Sequence, residues 1–208
     1  MSKVLFVKAN NRPIEQAVSV KLYQAFLDSY KQSHPNDEIV ELDLFAENLP
    51  YYDNTVITGL YKASQGIEAT SEEQQAANTV TKYLDQFIAA DKVVFGFPLW
   101  NMTVPAVLHT YVDYLNQAGK TFKYTAEGAV GLLSGKKVAL LNASGGVYSE
   151  GPMAAAEMAV AFMKSNMNLF GVQDITTVII EGHAQAPDQA ATIIESGLNK
   201  ATKVAAEF

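Results

Sequence analysis

Three short stretches hold the residue types that could do chemistry: 9–19 (ANNRPIEQAVS), 97–104 (FPLWNMTV) and 142–151 (NASGGVYSEG). The first sets amides, one arginine and Ser19 around the expected start of a helix. Free backbone N–H groups and the helix dipole favour an anion such as a phosphate at such a place. Asn10 and Asn11 equally suit a plain turn, and with no glycine the stretch is neither a dinucleotide fingerprint nor a P-loop. In the second, Pro98 ends an apolar run and Leu99, Trp100, Asn101 and Met102 follow, with the chain's single tryptophan among them. Such a surface, with backbone donors beside it, suits the grip on a flat heteroaromatic ring. The competing reading is a lone Trp filling the core beneath a loop. Pro98 and Pro105 make the turn stiff in either case. In the third, Gly145 and Gly146 come directly after an apolar run that closes on Ala143 and Ser144. Their N–H groups can approach a ligand closely and meet charge on a ring carbonyl; a tight turn explains the pair equally well.

The elements that must position these stretches follow from periodicity. Short apolar runs at 3–10 (KVLFVKAN), 38–45 (EIVELDLF), 92–97 (KVVFGF), 136–144 (KKVALLNAS) and 175–182 (ITTVIIEG) read as strands. Between them the apolar residues recur every three or four positions, as in Val18, Leu22, Ala25, Phe26 and Tyr30, which marks helices. Thr70 with Glu73 predicts a capping box. Pro105 suits a first helical turn and Gly119 a left-handed stop, Pro152 predicts a helix to about Phe170 with Gly171 behind it, and a last helix is expected from about Pro187. Continuously apolar strands separated by helices are buried on both faces. The expectation is a single α/β domain over 1–208, a doubly wound five-stranded parallel sheet in the flavodoxin-like order 2-1-3-4-5 with helices on both faces. In such a sheet ligands bind beyond the carboxyl ends of the strands where the order reverses, which selects the same three stretches. Segments 46–70 and 119–135 break the rhythm and read as long loops that are functional or cover a partner.

Composition narrows the field. Lys and Arg number 15 against 22 Asp and Glu, and a formal charge of −7 disfavours nucleic acid and an anionic membrane surface. Cysteine is absent, which removes disulfide and thiol chemistry. The opening MSKVLFVKAN is too quickly polar for a signal peptide, and no run of about 18 apolar residues exists, so the cytoplasm is expected. Ser144 with a downstream His183 matches part of a nucleophile elbow, but Asn142 stands where its first glycine belongs. A phosphoacceptor receiver domain would need a carboxylate after the third strand, where Gly96-Phe97-Pro98 stands. His34, His109 and His183 are far apart and predict no metal site; His183, just past the last strand, can approach a neighbouring pocket.

With the three stretches in view, the sequence resembles the FMN-dependent NADH azoreductases, or flavodoxin-like NAD(P)H:quinone oxidoreductases, particularly their bacillus-type members. The likeness runs through KVLFVKAN, NLPYYD, ADKVVFGFPLWN, AGKTFKYTAEG, GLLSGKKVALLNASGGVYSEGP and NLFGV in that order. It implies an FMN at the strand ends of a homodimer, with Asn10, Ala17, Val18 and Ser19 at the phosphate and ribityl chain. Pro98, Leu99, Trp100, Asn101 and Met102 would hold the ring, and Ala143, Ser144, Gly145 and Gly146 its pyrimidine end. Phe122, Tyr124 and Tyr148, with the aromatics of 51–61, would wall a substrate slot. The helices at 105–118 and 152–170 would form the dimer surface. The implied activity is ping-pong, two-electron transfer from NADH to quinones, and in two cycles to azo compounds, which are cleaved to aromatic amines. The chemistry is the flavin's and no catalytic side chain is required. The sequence departs from the family in having Asn10 and Ala17 where serine is frequent, Ser144 where Arg or Thr is frequent, and Ala129 for a proline. These changes shift phosphate contacts toward backbone N–H groups and Ser19. The alternative is a flavodoxin-like electron carrier without its own NADH oxidation, and a flavin-free regulatory domain is the remaining reading.

Overall fold

A computed structural model describes residues Met1–Phe208. Five parallel strands, β1 (Lys3–Lys8), β2 (Glu38–Asp43), β3 (Lys92–Pro98), β6 (Lys137–Ala143) and β7 (Asp174–Ile180), form one sheet in the order β2-β1-β3-β6-β7. Counted along the chain this is 2-1-3-4-5, the flavodoxin-like arrangement expected from the pattern of apolar runs. The central strands are almost wholly buried because their side chains meet helices on both sides. On one face Val4, Phe6, Val94, Leu141 and Ile180 pack against α1 (Val18–Ser33) and α6 (Ala190–Glu207). On the other, Leu5, Val7, Phe95, Phe97 and Leu140 pack against α3 (Ser71–Ala89), α4 (Ala106–Leu115) and α5 (Ala159–Leu169). Gly96 lets α1 lie close on β3: a Cβ there would sit 2.6 Å from the Tyr23 ring.

Local signals account for most boundaries. The capping box at the start of α3 is formed, with Thr70 Oγ1 accepting from the Glu73 N–H and the Glu73 carboxylate accepting from the Thr70 N–H. Pro105 stands just before α4, and its carbonyl accepts from Leu108 and His109. The helix ends earlier than its glycine suggests: Gly119 is left-handed at φ 83°, but α4 stops at Leu115. The helix expected from Pro152 begins only at Ala159, after a short 3-10 turn at Ala154–Ala156. The reason is Glu157, whose carboxylate accepts the N–H groups of Ala159, Val160 and Ala161 and so caps the helix there.

Neither long segment is a structureless loop. Within 46–70 lies α2 (Asn54–Gln65), capped by Asp53 and pressed against α3 where Gly59 leaves no room for a Cβ beside the Glu73 carbonyl. Within 119–135 is a hairpin of β4 (Phe122–Thr125) and β5 (Gly128–Gly131). Gly131 touches Gly171 backbone to backbone, which fixes the hairpin beside the end of α5. No helix is long and apolar enough to cross a membrane.

Candidate functional site

The three stretches singled out by residue type come together at the carboxyl ends of β1, β3 and β6. They line a cavity of about 260 Å³ with Asn10, Ala17–Ser19, Pro98–Trp100 and Ala143–Gly145 on its walls. Arg12, Gln16 and His183 complete the lining.

Each wall is built differently. After β1, the Asn10 side chain organises the loop: its carbonyl accepts from the Arg12 N–H at 3.0 Å and its amide donates to Ser19 Oγ at 2.9 Å. Helix α1 then opens on Ala17, which has no capping side chain, and no acidic residue stands in its first turn. The N–H groups of Val18 and Ser19 find no acceptor in the chain. An uncapped first turn facing a cavity is an anion site in waiting.

After β3 the chain forms a two-residue reverse turn. Trp100 and Thr103 exchange both backbone hydrogen bonds, at 3.0 and 3.1 Å, and the central residues Asn101 and Met102 have φ of 50° and 69°. They are the only non-glycine residues with positive φ, although turns of this kind favour Asn-Gly. Left-handed geometry at Met102 costs about 1 kcal/mol. Surrounding packing maintains it: the Met102 carbonyl accepts from the Met158 N–H at 3.0 Å, which ties the turn to the start of α5. Trp100 is only half-buried. One side borders the cavity described above, and another borders a second cavity of about 650 Å³ with Phe45, Tyr51 and residues of α4. Its one aromatic neighbour is Phe45, edge to face at 6.3 Å. The indole is a wall and not a core filler.

After β6 the glycine pair serves space more than backbone freedom, since neither residue has a positive φ. A Cβ on Gly145 would stand 3.0 Å from that of Ala184, and one on Gly146 would stand 3.3 Å from the Tyr148 ring. The carbonyls of both are taken, by Ala184, Gln185 and Gly182, whereas their N–H groups have no acceptor in the chain. Asn142 braces the floor by donating to the Phe97 carbonyl at 3.2 Å. Ser144 Oγ donates to the Gly146 carbonyl at 2.9 Å, while His183 Nδ1 is buried without a partner. The serine and histidine therefore form no nucleophile–base pair, which removes the acyl-hydrolase arrangement. Burial holds the His183 pKa below its ordinary value.

Asn101, Met102 and Gly146 belong to these loops without bordering the cavity. Tyr148 packs beside Gly146, and its N–H donates to Glu181 at 2.8 Å. Phe122 is buried in the main core, and Tyr124, on the hairpin, is 76% exposed. Neither borders the cavity of a single chain. The arginine counted in the first stretch is in the lining, and His183 approaches the pocket as its place just past the last strand suggests, whereas Gln16 was not singled out.

A doubly wound sheet with a donor-rich cavity at the point where strand order reverses defines a flavodoxin-like α/β protein. Residues 2–205 match the model of a family described as having the flavodoxin-like fold. A protein of Brevibacillus brevis called FMN-dependent NADH:quinone oxidoreductase is 64% identical over 208 residues, all of both chains. The crystal structure of an azoreductase from Bacillus anthracis, 64% identical, superposes with a TM-score of 0.98 over all of both chains. A second Bacillus anthracis structure, an FMN-dependent NADH-azoreductase in complex with FMN, is 31% identical, with a TM-score of 0.88 over 99% of this chain and 100% of its own. The chain belongs to this flavodoxin-like family of NADH:quinone oxidoreductases and azoreductases.

Proposed function

We propose that this chain is an FMN-dependent NADH:quinone oxidoreductase that also reduces azo compounds to aromatic amines. One observation carries the reading. At the strand-order switch, a half-buried indole and three residues with unpaired backbone N–H groups, Val18 and Ser19 on α1 and Gly145 after β6, border one cavity that no Asp or Glu lines. These residues fit FMN by their chemistry. The uncapped start of α1 suits a phosphate, the rigid 98–102 turn an aromatic ring, and the Gly145 and Gly146 N–H groups an electron-rich ring edge.

Bound FMN supplies the two-electron transfer from NADH to the acceptor. The chain's own residues do the rest. Val18 and Ser19 N–H groups with Ser19 Oγ hold the phosphate end, with Asn10 fixing that hydroxyl. Pro98–Met102 hold the ring, with Trp100 against its apolar part. Gly145 and Gly146 direct preorganised N–H groups at the place where negative charge grows during reduction, where such donors are most effective. No side chain there has to move a proton, consistent with a cavity that holds no carboxylate and no paired histidine. Donor and acceptor use one slot in turn, which gives ping-pong kinetics.

Residues 1–208 act as one FMN-binding domain in the cytoplasm and work as a homodimer. Support for the dimer comes from α4 and α5, joined into one face by the His109–Phe162 stack at 4.7 Å and the Asn116–Asn166 hydrogen bond at 2.9 Å. Exposed Tyr51, Tyr124 and Met158 flank it, at 78%, 76% and 51%. In the dimer, Phe122, Tyr124 and Tyr148 complete the substrate slots. The test is to release and identify the flavin of the purified protein, then titrate it anaerobically with NADH and add a benzoquinone. Bleaching by NADH and recovery with the quinone are expected. A protein that binds FMN but is not bleached by NADH is an electron carrier and contradicts the proposal.

A further inference from the structure

The backbone N–H groups of residues 145–149 divide into two sets. Those of Gly145 and Gly146 have no acceptor in the chain, whereas the next three all end on side chains of the loop after β7. Val147 donates to Gln185 Oε1 at 3.1 Å, and Tyr148 and Ser149 donate to one oxygen of the Glu181 carboxylate at 2.8 and 3.0 Å. The other carboxylate oxygen accepts from the Ser149 hydroxyl. Glu181 enters no ion pair, so its acceptor capacity is spent on this stretch. The carbonyls are held from the same side. That of Gly145 accepts from the Ala184 and Gln185 N–H groups, and that of Gly146 accepts from the Gly182 N–H and the Ser144 hydroxyl. In a planar trans peptide the N–H points opposite to the C=O, so anchoring the Gly145 carbonyl turns the Gly146 N–H away from the loop after β7.

The two loops meet with little slack. Gly182 is left-handed at φ 80°, and a Cβ there would stand 2.9 Å from Val147 Cγ2. The Tyr148 ring rests against Gly146, so the bond on the Tyr148 N–H also sets that ring. Past Ser149 the chain is held differently. Ala154, Ala156 and Glu157 donate only to the carbonyls of Gly151, Met153 and Ala154, and the next hydrogen bond to another segment is that of Met158 to Met102. The Glu181 carboxylate is therefore the last fixed point before an exposed stretch whose motion would otherwise reach the glycine pair.

We propose that Glu181 is a positioning residue: its carboxylate clips Tyr148 and Ser149 to the loop after β7 and so keeps the Gly145 and Gly146 N–H groups aimed at the electron-rich edge of the flavin ring. The inference rests on the FMN reading above and adds the residue that holds the ring-edge donors in place. Fixed donors act most strongly on the ligand form that carries the charge, so the clip favours reduced over oxidised FMN. Through its negative charge alone Glu181 would do the reverse, because like charges repel. Glu181→Gln separates the two. Its amide oxygen can accept both N–H groups and its NH2 can donate to Ser149 Oγ, which keeps the clip and removes the charge.

Wild type, Glu181→Ala, Glu181→Gln and Ser149→Ala are titrated anaerobically with oxidised and with reduced FMN, and the midpoint potential of the bound flavin is measured. Glu181→Ala is expected to weaken binding of reduced FMN about tenfold more than that of oxidised FMN, which lowers the potential by about 30 mV. Glu181→Gln should keep the wild-type ratio of the two affinities within about twofold. Ser149 is exposed, so Ser149→Ala tests the clip without threatening the fold; losing one of its bonds should shift the ratio about two- to threefold in the same direction as Glu181→Ala. In the flavin-free protein, the Tyr148 and Ser149 N–H groups should exchange with solvent at least about tenfold faster in Glu181→Ala and at the wild-type rate in Glu181→Gln. Equal shifts of potential in Glu181→Ala and Glu181→Gln would trace the effect to charge and overturn the inference, as would an unchanged potential in Glu181→Ala or in Ser149→Ala. Those results leave the FMN reading intact, whereas a wild-type protein that binds no FMN removes both.

Discussion

Replacing Trp100 by alanine separates a binding wall from a core residue. A fully buried Trp truncated to Ala costs about 3–5 kcal/mol of stability. Trp100 is half-buried, borders cavities on two sides, and has one aromatic contact, the edge-to-face pair with Phe45, which is itself 38% exposed. Such a pair contributes about 0.5–1.5 kcal/mol beyond burial, and half the burial of a large aromatic adds about 1 kcal/mol more. The expected loss for the flavin-free protein is therefore about 2 kcal/mol. Stacking of a heteroaromatic ring on an aromatic side chain is lost on alanine substitution at about 1–3 kcal/mol, roughly ten- to hundredfold in affinity. Urea unfolding of flavin-free wild type and Trp100→Ala measures the first quantity, and FMN titration of the folded protein the second. A stability loss above 4 kcal/mol with unchanged FMN affinity would refute the reasoning, because it would make the indole a core filler.

Three further outcomes follow from the packing and the pKa shifts. Gly96→Ala puts a methyl group 2.6 Å from the Tyr23 ring, so α1 must move off β3; a loss of about 2–3 kcal/mol in urea unfolding is expected, with weaker FMN binding because the start of α1 shifts. Met102→Gly relieves left-handed strain but frees the turn, so flavin-free stability should change by less than about 1 kcal/mol while FMN dissociates faster in stopped flow. Lys136 is buried at the opposite end of the sheet with its ammonium on the Ile88 and Ala90 carbonyls, and burial pulls its pKa from 10.5 down to about 8. Between pH 8 and 10.5 the unfolded chain then binds more protons than the folded one, so the Lys136 contribution to stability rises with pH across that window. Wild type should gain about 2 kcal/mol relative to Lys136→Met between pH 7.5 and pH 10 in paired urea titrations; a constant difference would contradict it.

The sheet was legible because its central strands, such as KVVFGF, are apolar on both faces and admit no other placement. Five such strands allow the flavodoxin-like order, and that order selects the three loops. Shorter and partly polar elements were harder. β4 alternates in FKYT, but β5 is the short GAVG and the turn between them, Ala126-Glu127, lacks the Asn-Gly or Asp-Gly signal of a tight hairpin. The start of α5 was obscured because Pro152 suggests an earlier first turn and the cap is the Glu157 carboxylate, not a Ser or Asp. In the site, the glycine pair was expected to bring its N–H groups close to a ligand or to make a tight turn. The positive φ angles fall instead on Asn101 and Met102, and the glycines make room for Ala184 and Tyr148. Such strain is invisible to propensity, since it exists only because α5 holds the turn through Met158. The approach of His183 to a neighbouring pocket was legible from its place just past the last strand, and the loop after β7 does bring it to the cavity beside α1.

The most direct test of the account is a crystal structure of the protein with FMN bound. The phosphate should accept from the N–H groups of Val18 and Ser19, with the ring against Trp100 and its pyrimidine edge at the N–H groups of Gly145 and Gly146. An FMN seated instead on the far side of Trp100, between Phe45 and α4, with the start of α1 untouched, would contradict the account.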